Sequence, residues 1–353
     1  MKSKMSATTV LLIAFAAISA AFAHAEEAVT ISGAGATFPY PLYHVMFETF
    51  TRQTGTKITY DAIGSGGGIK ALTEKKVDFA GTDAFMSPQE IARAGAPIVH
   101  IPICMGAVVV AYNLAGDIPM SFSPQVIADI FLGKISKWND PRILELNPRV
   151  KISDIPIHVV HRTDASGTTA IFTEYLSKVS PEWRSRIGSG KTVKWATGQG
   201  GKGNPGVAGL VKQVMGSIGY VELIYALGNN MKVASVQNRS GNFIQPCVES
   251  VSRAGTVEIP ADTNISLTDT AAPHGYPIAG FTWIALYQQQ DYGSRSRSQA
   301  RELAGMLWWM THEGQALTRP FHYSPLPEEA VRRSEALLKS ITFGASPALN
   351  GWK

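Results

Sequence analysis

The segment Arg162-Thr163-Asp164-Ala165-Ser166-Gly167-Thr168 separates an apolar β-type run, Ile157–His161, from a helical stretch, Thr169–Lys178. Strand, Gly/Ser/Thr turn and helix in immediate succession form the basic unit of an α/β fold. The turn also carries chemistry. An Arg donates bidentately to oxyanions, and a helix N-terminus offers unpaired N–H groups and a positive dipole end. Asp164 is placed to hold the guanidinium. Outward from this segment the pattern recurs twice. Gly33-Ala-Gly-Ala-Thr-Phe-Pro39 follows the strand candidate Val29–Ser32 and precedes Pro39–Gln53. Gly64-Ser-Gly-Gly-Gly68 follows Lys57–Asp61 and precedes Gly68–Lys75. Glycine permits tight turning and close backbone approach, and Pro39 suits the first helical position. Any one such turn is ordinary; three in one chain point to convergence on one small oxyanion.

Further strands are expected at Val77–Gly81, Val99–Pro102, Ala107–Asn113, Ile218–Glu222 and Phe281–Tyr287, and helices at Ser123–Leu132 and Pro205–Met215. The alternation implies an α/β architecture with mostly parallel sheet. The C-terminal third reads as two long helices, Ser298–Thr311 and Leu326–Ser340, with Met306, Leu307, Trp308 and Trp309 expected in the core. Arg239–Ser266 is polar and weakly periodic and reads as a loop or insertion.

The chain has 353 residues, 45% hydrophobic and 17% charged, with two Cys. That length suits about two domains. The composition excludes a disordered chain, a disulfide-stapled miniprotein and a polytopic membrane protein. The net charge of +5 comes without a basic run, so it fits a small anion at least as well as nucleic acid. Lys2 and Lys4, the apolar run Val10–Phe22 and Ala23-His24-Ala25 form a signal-peptide pattern with cleavage after Ala25. The mature chain is therefore expected to be exported. Export permits a Cys104–Cys247 disulfide. Yet Cys104 lies in an apolar run that suits a buried thiol, and two unpaired thiols are expected.

Several motifs do not carry the function they suggest. Gly190-Lys191-Thr192 mimics the end of a P-loop but has Ser185 where the first Gly belongs. Gly33-x-Gly35-x-x-Phe38 lacks the third Gly of a dinucleotide fingerprint. His161, Asp164 and Ser166 crowd into six positions with no G-x-S-x-G elbow. No His shows metal-ligand spacing, so no metal or redox cofactor has a visible seat.

The motifs Gly33–Pro39, Ile63–Gly68, Val77–Asp83 and Arg162–Thr168, with Phe131–Trp138 and Gly216–Glu222, resemble the phosphate-binding proteins of phosphate-specific (Pst) ABC transporters. The likeness spans most of the mature chain and is weakest around Arg239–Ser266. It implies a two-lobed periplasmic binding protein of type II, each lobe a mostly parallel sheet flanked by helices, joined by a two-crossover hinge. One lobe would comprise 26–112 and 278–353, the other 113–277. It also implies a phosphate shell of Thr37, Phe38 through its backbone N–H, Ser65, Asp83, Arg162, Ser166, Gly167 and Thr168, with Asp164 supporting Arg162. No cofactor is implied. The implied partners are phosphate and a membrane permease with cytoplasmic ATPase subunits, on which a periplasmic monomer docks. A carboxylate facing an anion makes sense when the ligand carries a proton. Asp83 then accepts from mono- or dihydrogen phosphate, whereas fully ionised sulfate leaves acceptor facing acceptor, at about 1–3 kcal/mol or more. The competing readings are a binder of another tetrahedral oxyanion, which Asp83 opposes, and a secreted phosphatase using Ser166 or Ser65, which lacks metal ligands and a general base.

Overall fold

In the computed structural model, residues 29–116 and 118–349 are described; the signal-peptide pattern lies outside them. The alternation seen in the sequence is realised almost element for element. Strand β1 (Thr30–Gly35) leads into helix α1 (Tyr40–Thr54). Next come β2 (Lys57–Asp61), helix α2 (Ser65–Thr73) and β3 (Phe79–Thr82). Pro39 precedes α1, and Gly55 ends it in the left-handed conformation at φ 80°, as glycine at a helix C-terminus does. Leu42, Tyr43, Met46, Phe47 and Phe50 form its buried face.

The two expected strands Val99–Pro102 and Ala107–Asn113 are one. Strand β4 runs unbroken over Ile98–Tyr112, and all but its first residue are buried. Pro102 does not end it. The register against β12 (Ala279–Tyr287) slips between Thr282 and Trp283, so that Cys104 faces Thr282 and Pro102 faces Trp283. Such a bulge is where a strand tolerates a proline that cannot donate to the ladder.

The remaining strands are the short β5 (Ser121–Phe122), then β6 (His158–Arg162), β7 (Gln199–Gly201) and β8 (Ser217–Glu222), and the short β9 (Lys232–Val233), β10 (Ser235–Gln237) and β11 (Phe243–Ile244). The strand order is β2-β1-β3-β12-β4-β8-β6-β7. It is parallel towards both ends, where β1 pairs with β2 and β3, and β6 with β7 and β8. At the centre β12 runs antiparallel to β3 and β4, and β4 antiparallel to β8. The expected α/β architecture thus has parallel flanks and an antiparallel middle. The first ten residues of β4, all but Ile103, pair with β12 and the last five with β8, so this one strand belongs to both halves of the sheet.

Helices cover the sheet. Helix α3 (Gly167–Val179) follows β6, and α4 (Gly203–Gln213) follows β7. Helix α5 (Arg297–Thr311) packs on α1, with the Phe50 and Trp309 rings 5.8 Å apart. Met306, Leu307 and Trp309 are buried as expected, while Trp308 is half-buried and stacks on His312 at 4.2 Å. The reading of Arg239–Ser266 as a loop needs correction. It contains a short strand, Phe243–Ile244, and a helix, Val248–Ala254, with Val248, Val251 and Ala254 buried. The helix start is capped by Cys247, whose Sγ accepts from Ser250 N–H, while Ser250 Oγ accepts from Cys247 N–H. A cysteine cap gives no helix-start signal of the usual Ser/Thr/Asp kind. Cys104 is buried on β4 and Cys247 is exposed; both are free thiols.

Candidate functional site

Four strand–helix junctions meet between the two halves of the sheet. From the β1–α1 turn comes Thr37, followed by the buried Phe38, whose carbonyl accepts from the Tyr323 hydroxyl at 2.6 Å. The start of α2 supplies Ser65, and the end of β3 supplies Asp83. From the β6–α3 turn come Arg162, Asp164, Ser166, Gly167 and Thr168.

These parts are joined. Ser65 Oγ accepts from the Gly167 N–H at 3.1 Å and from the Asp83 N–H at 3.3 Å, and lies 3.5 Å from Asp83 Oδ2. Gly167 must be glycine here, because a Cβ would fall 2.5 Å from Ser65 Oγ and 2.6 Å from Asp83 Oδ2. Arg162 donates through Nε to Asp164 Oδ1 at 2.8 Å and through Nη2 to Oδ2, a bidentate pair. Its Nη1 reaches Thr168 Oγ1 at 3.2 Å. Gly64, at φ 87°, lets the chain pass Asp164 where any Cβ would lie 2.3 Å from Oδ2. Ser166 caps α3, its Oγ accepting from Thr169 N–H at 3.1 Å. The N–H of Thr168, in the first turn of α3, has no intrahelical carbonyl to reach. Every residue expected in the shell is thus gathered into one region. Thr37, Phe38, Ser65, Asp83, Arg162, Ser166 and Thr168 are all buried.

The electrostatics separate the two carboxylates. Burial pushes Asp83 up to about 7, against the opposing pull of a Thr282 hydrogen bond, the Arg162 charge and Ser65. Burial also works to raise Asp164, but the Arg162 pair outweighs it and holds Asp164 below the ordinary carboxylate range. One carboxylate is a fixed counter-ion; the other sits among donors with its proton near balance at neutral pH.

Sequence reasoning missed the residues that tie this region together. Asn204, fully buried at the start of α4, donates through Nδ2 to Thr37 Oγ1 at 2.9 Å and to Thr168 Oγ1 at 3.2 Å. Its Oδ1 accepts from Glu222 N–H at 2.9 Å. The signal for it was a fourth Gly-containing helix start, Gly203-Asn204-Pro205, with the Gly203 N–H held by Asp164 Oδ1 at 3.0 Å. Tyr220 hydroxyl accepts from Arg162 N–H at 3.2 Å, and Tyr225 hydroxyl donates to Thr37 O at 2.6 Å. Thr282 Oγ1 donates to Asp83 Oδ1 at 2.8 Å. Glu222 is fully buried, and burial pushes its carboxyl well above the usual range. Tyr220 and Glu222 lie in the motif Gly216–Glu222, which assigns them no role, and nothing in their local sequence distinguishes Tyr225 and Thr282 from core residues.

Chemically the region is a nest of hydroxyl, amide and guanidinium donors around Asp83, with Asp164 already paired to Arg162. No described group of three or more His, Cys, Asp or Glu side chains is placed to hold a metal ion. The His161 ring stacks on Trp195 at 4.8 Å, and its Nδ1 lies 3.1 Å from the Arg162 carbonyl.

A family model described as the PBP superfamily domain matches residues 20–311. The phosphate-binding protein PstS of Pasteurella multocida is 40% identical over 326 residues, covering 90% of this chain and 92% of the relative. The chain belongs to the PstS family. The PstS of Methanocaldococcus jannaschii is 36% identical over 330 residues, 86% of this chain and 84% of its own. Among solved structures, a phosphate-binding protein from Stenotrophomonas maltophilia superposes with a TM-score of 0.69 at 21% identity, over 91% of this chain and 97% of that one. A high-affinity periplasmic phosphate-binding protein solved with phosphate bound gives a TM-score of 0.72 at 23% identity, over 92% and 99%. These two superpositions establish that the PstS-family chain shares the two-lobed α/β fold of those proteins.

Proposed function

We propose that this chain is an exported, periplasmic phosphate-binding protein that delivers mono- or dihydrogen phosphate to an ABC permease with cytoplasmic ATPase subunits. In this reading the signal segment is removed after Ala25 and the mature chain works as a monomer, without cofactor, metal or nucleic acid. The lobes are 26–112 with 278–353, and 113–277, and the ion lies between them. Thr37, the Phe38 N–H, Ser65, Arg162, Ser166, Gly167 and Thr168 donate to it; Asp83 accepts its proton; Asp164 holds Arg162.

The observation that carries the reading is the placement of Asp83, buried and acidic, against the donor-rich start of α3 and under the Arg162 charge. Were the group meant for a fully ionised anion, a carboxylate there would repel it. A proton-bearing ligand turns the same group into a partner. Discrimination against sulfate then follows from leaving a buried acceptor unpaired, about 1–3 kcal/mol or more. Several charge-assisted bonds of about 1.5–3 kcal/mol each are enough for micromolar binding, which needs about −8.2 kcal/mol after association costs.

Contacts between the two assigned lobes support closure around the ion. Thr37 meets Asn204 and Tyr225, Ser65 meets Gly167, and Lys191 pairs with Glu90 at 2.8 Å. A closed surface is what a permease would recognise in this mode of hinge signalling.

Calorimetric titration of the purified mature chain with phosphate, arsenate and sulfate tests the reading. Phosphate and arsenate should bind and compete, and sulfate should not. Turnover of a chromogenic phosphate ester would make the protein a phosphatase instead.

A further inference from the structure

We propose that Thr282 is a positioning and specificity residue of the anion site. Its hydroxyl occupies one oxygen of Asp83, so that the other oxygen, and that one alone, is presented as acceptor to the ligand. This inference rests on the phosphate reading above.

The geometry is specific. Thr282 Oγ1 lies 2.8 Å from Asp83 Oδ1, and Asp83 Oδ2 is the oxygen that faces Ser65 and Gly167. A hydroxyl has one proton to give. The Thr82 carbonyl is at 3.4 Å, and the neighbouring Tyr43 hydroxyl, which also interacts with Thr282, can itself donate, so the proton goes to the carboxylate of Asp83. Thr282 is wholly buried. It arrives from an element unrelated in sequence to the ligand turns: β12 pairs antiparallel with β3, with Trp283 opposite Thr82. The register slip of β12 against β4 falls between Thr282 and Trp283, and bulges beside functional sites serve to re-aim a side chain.

A donor fixed on a carboxylate favours its ionised form. Among the influences opposing burial at Asp83, the Thr282 bond is the largest, ahead of Arg162 and Ser65. The other charged and titratable groups facing Asp83 are known. Arg162 on β6 pulls its carboxyl down, and Asp164 in the following turn pushes it up. Glu222 at the end of β8, Tyr225 beyond it, Tyr43 on α1, Tyr60 on β2 and Cys104 on β4 also lie within its field. Thr282, unlike these, touches Oδ1 and carries no charge, so removing it changes Asp83 without adding or deleting a charge. An Asp83 that keeps its proton presents a donor where the ligand also donates, which defeats binding of hydrogen-bearing phosphate.

The test is calorimetric phosphate titration of the full mature chain from about pH 5.5 to about pH 9 for the wild type, Thr282→Val and Thr282→Ser. Thr282→Val is expected to lose about tenfold in phosphate affinity near pH 7. The loss should shrink towards pH 9, where Asp83 ionises regardless and monohydrogen phosphate still carries its proton. Thr282→Ser, which keeps the hydroxyl, should stay within about twofold of wild type throughout. In an Asp83→Asn background, Thr282→Val should leave no pH-dependent difference. A Thr282→Val profile parallel to wild type, or a Thr282→Ser profile matching Thr282→Val, overturns the assignment of Thr282 while leaving the phosphate reading intact. A wild-type chain that fails to bind phosphate overturns the phosphate reading itself.

Discussion

Replacing Asp83 with Asn removes one charge and little volume, and the structure says what that does to the empty protein. Burial lifts Asp83 from 3.8 to about 7. The folded, unliganded chain therefore holds this proton more tightly than the unfolded chain does. Below about pH 4 the carboxyl is protonated in both states and has no effect. Between about pH 4 and 7 the unfolded state releases the proton first, so stability falls as pH rises. Above pH 7 the full penalty applies. A shift of about three units at 1.36 kcal/mol each amounts to about 4 kcal/mol. Asp83→Asn never charges and escapes it. The phosphate-stripped variant should thus resist urea better than wild type at pH 8, by up to about 4 kcal/mol, and the gap should close towards pH 4. Phosphate should narrow the gap, because wild type, the tighter binder, gains more from RT ln(1 + [L]/Kd), about 2.7 kcal/mol at a hundredfold excess over its Kd. Sulfate should compete with phosphate in the variant and not in wild type. Urea midpoints of the two stripped proteins that track each other from pH 5 to pH 8 would refute the reasoning, because the buried carboxylate would then carry no cost.

Three other perturbations are informative. Gly167→Ala puts a methyl 2.5 Å from Ser65 Oγ and 2.6 Å from Asp83 Oδ2; calorimetry should show phosphate affinity down at least about a hundredfold, with circular dichroism unchanged. Arg162→Lys keeps the charge but loses the fork that grips Asp164, which should cost about 2 kcal/mol, or about thirtyfold in Kd. Lys191→Met removes the 2.8 Å ion pair to Glu90, whose side chains are 17% and 19% exposed; at about 0.2–1 kcal/mol, stopped-flow release of phosphate should quicken no more than about fivefold, and added salt should speed wild-type release in the same direction.

The parts of the site that could be read from the chain are those built from adjacent residues. A strand, a Gly/Ser/Thr turn and a helix start occupy a dozen positions, so Arg162–Thr168, Gly33–Pro39 and Ile63–Gly68 announce both the fold and the anion chemistry. What stayed hidden depends on distant pairing. Thr282 reaches Asp83 across 199 residues, Asn204 reaches Thr37 across 167, and Tyr323 reaches Phe38 across 285. Thr282 and Tyr323 are ordinary in their own neighbourhoods and Asn204 shows only its Gly-containing helix start; sheet register or helix docking gives each its role. The division of β4 into two expected strands had a local cause as well. A proline usually ends a strand, and Pro102 is tolerated because the next residue of β4, Ile103, is skipped in the register. Likewise the helix Val248–Ala254 was masked by a cysteine cap.

Because β4 gives its first ten residues to one half of the sheet and its last five to the other, the molecule resists being dismantled. Expressing either half as a separate fragment would strip it of a central strand or burden it with an unpaired apolar tail, and an uncovered edge of that kind invites aggregation. Anyone grafting one half onto another scaffold, or splitting the chain for a complementation sensor, should therefore break it in an exposed connection and leave this shared backbone whole.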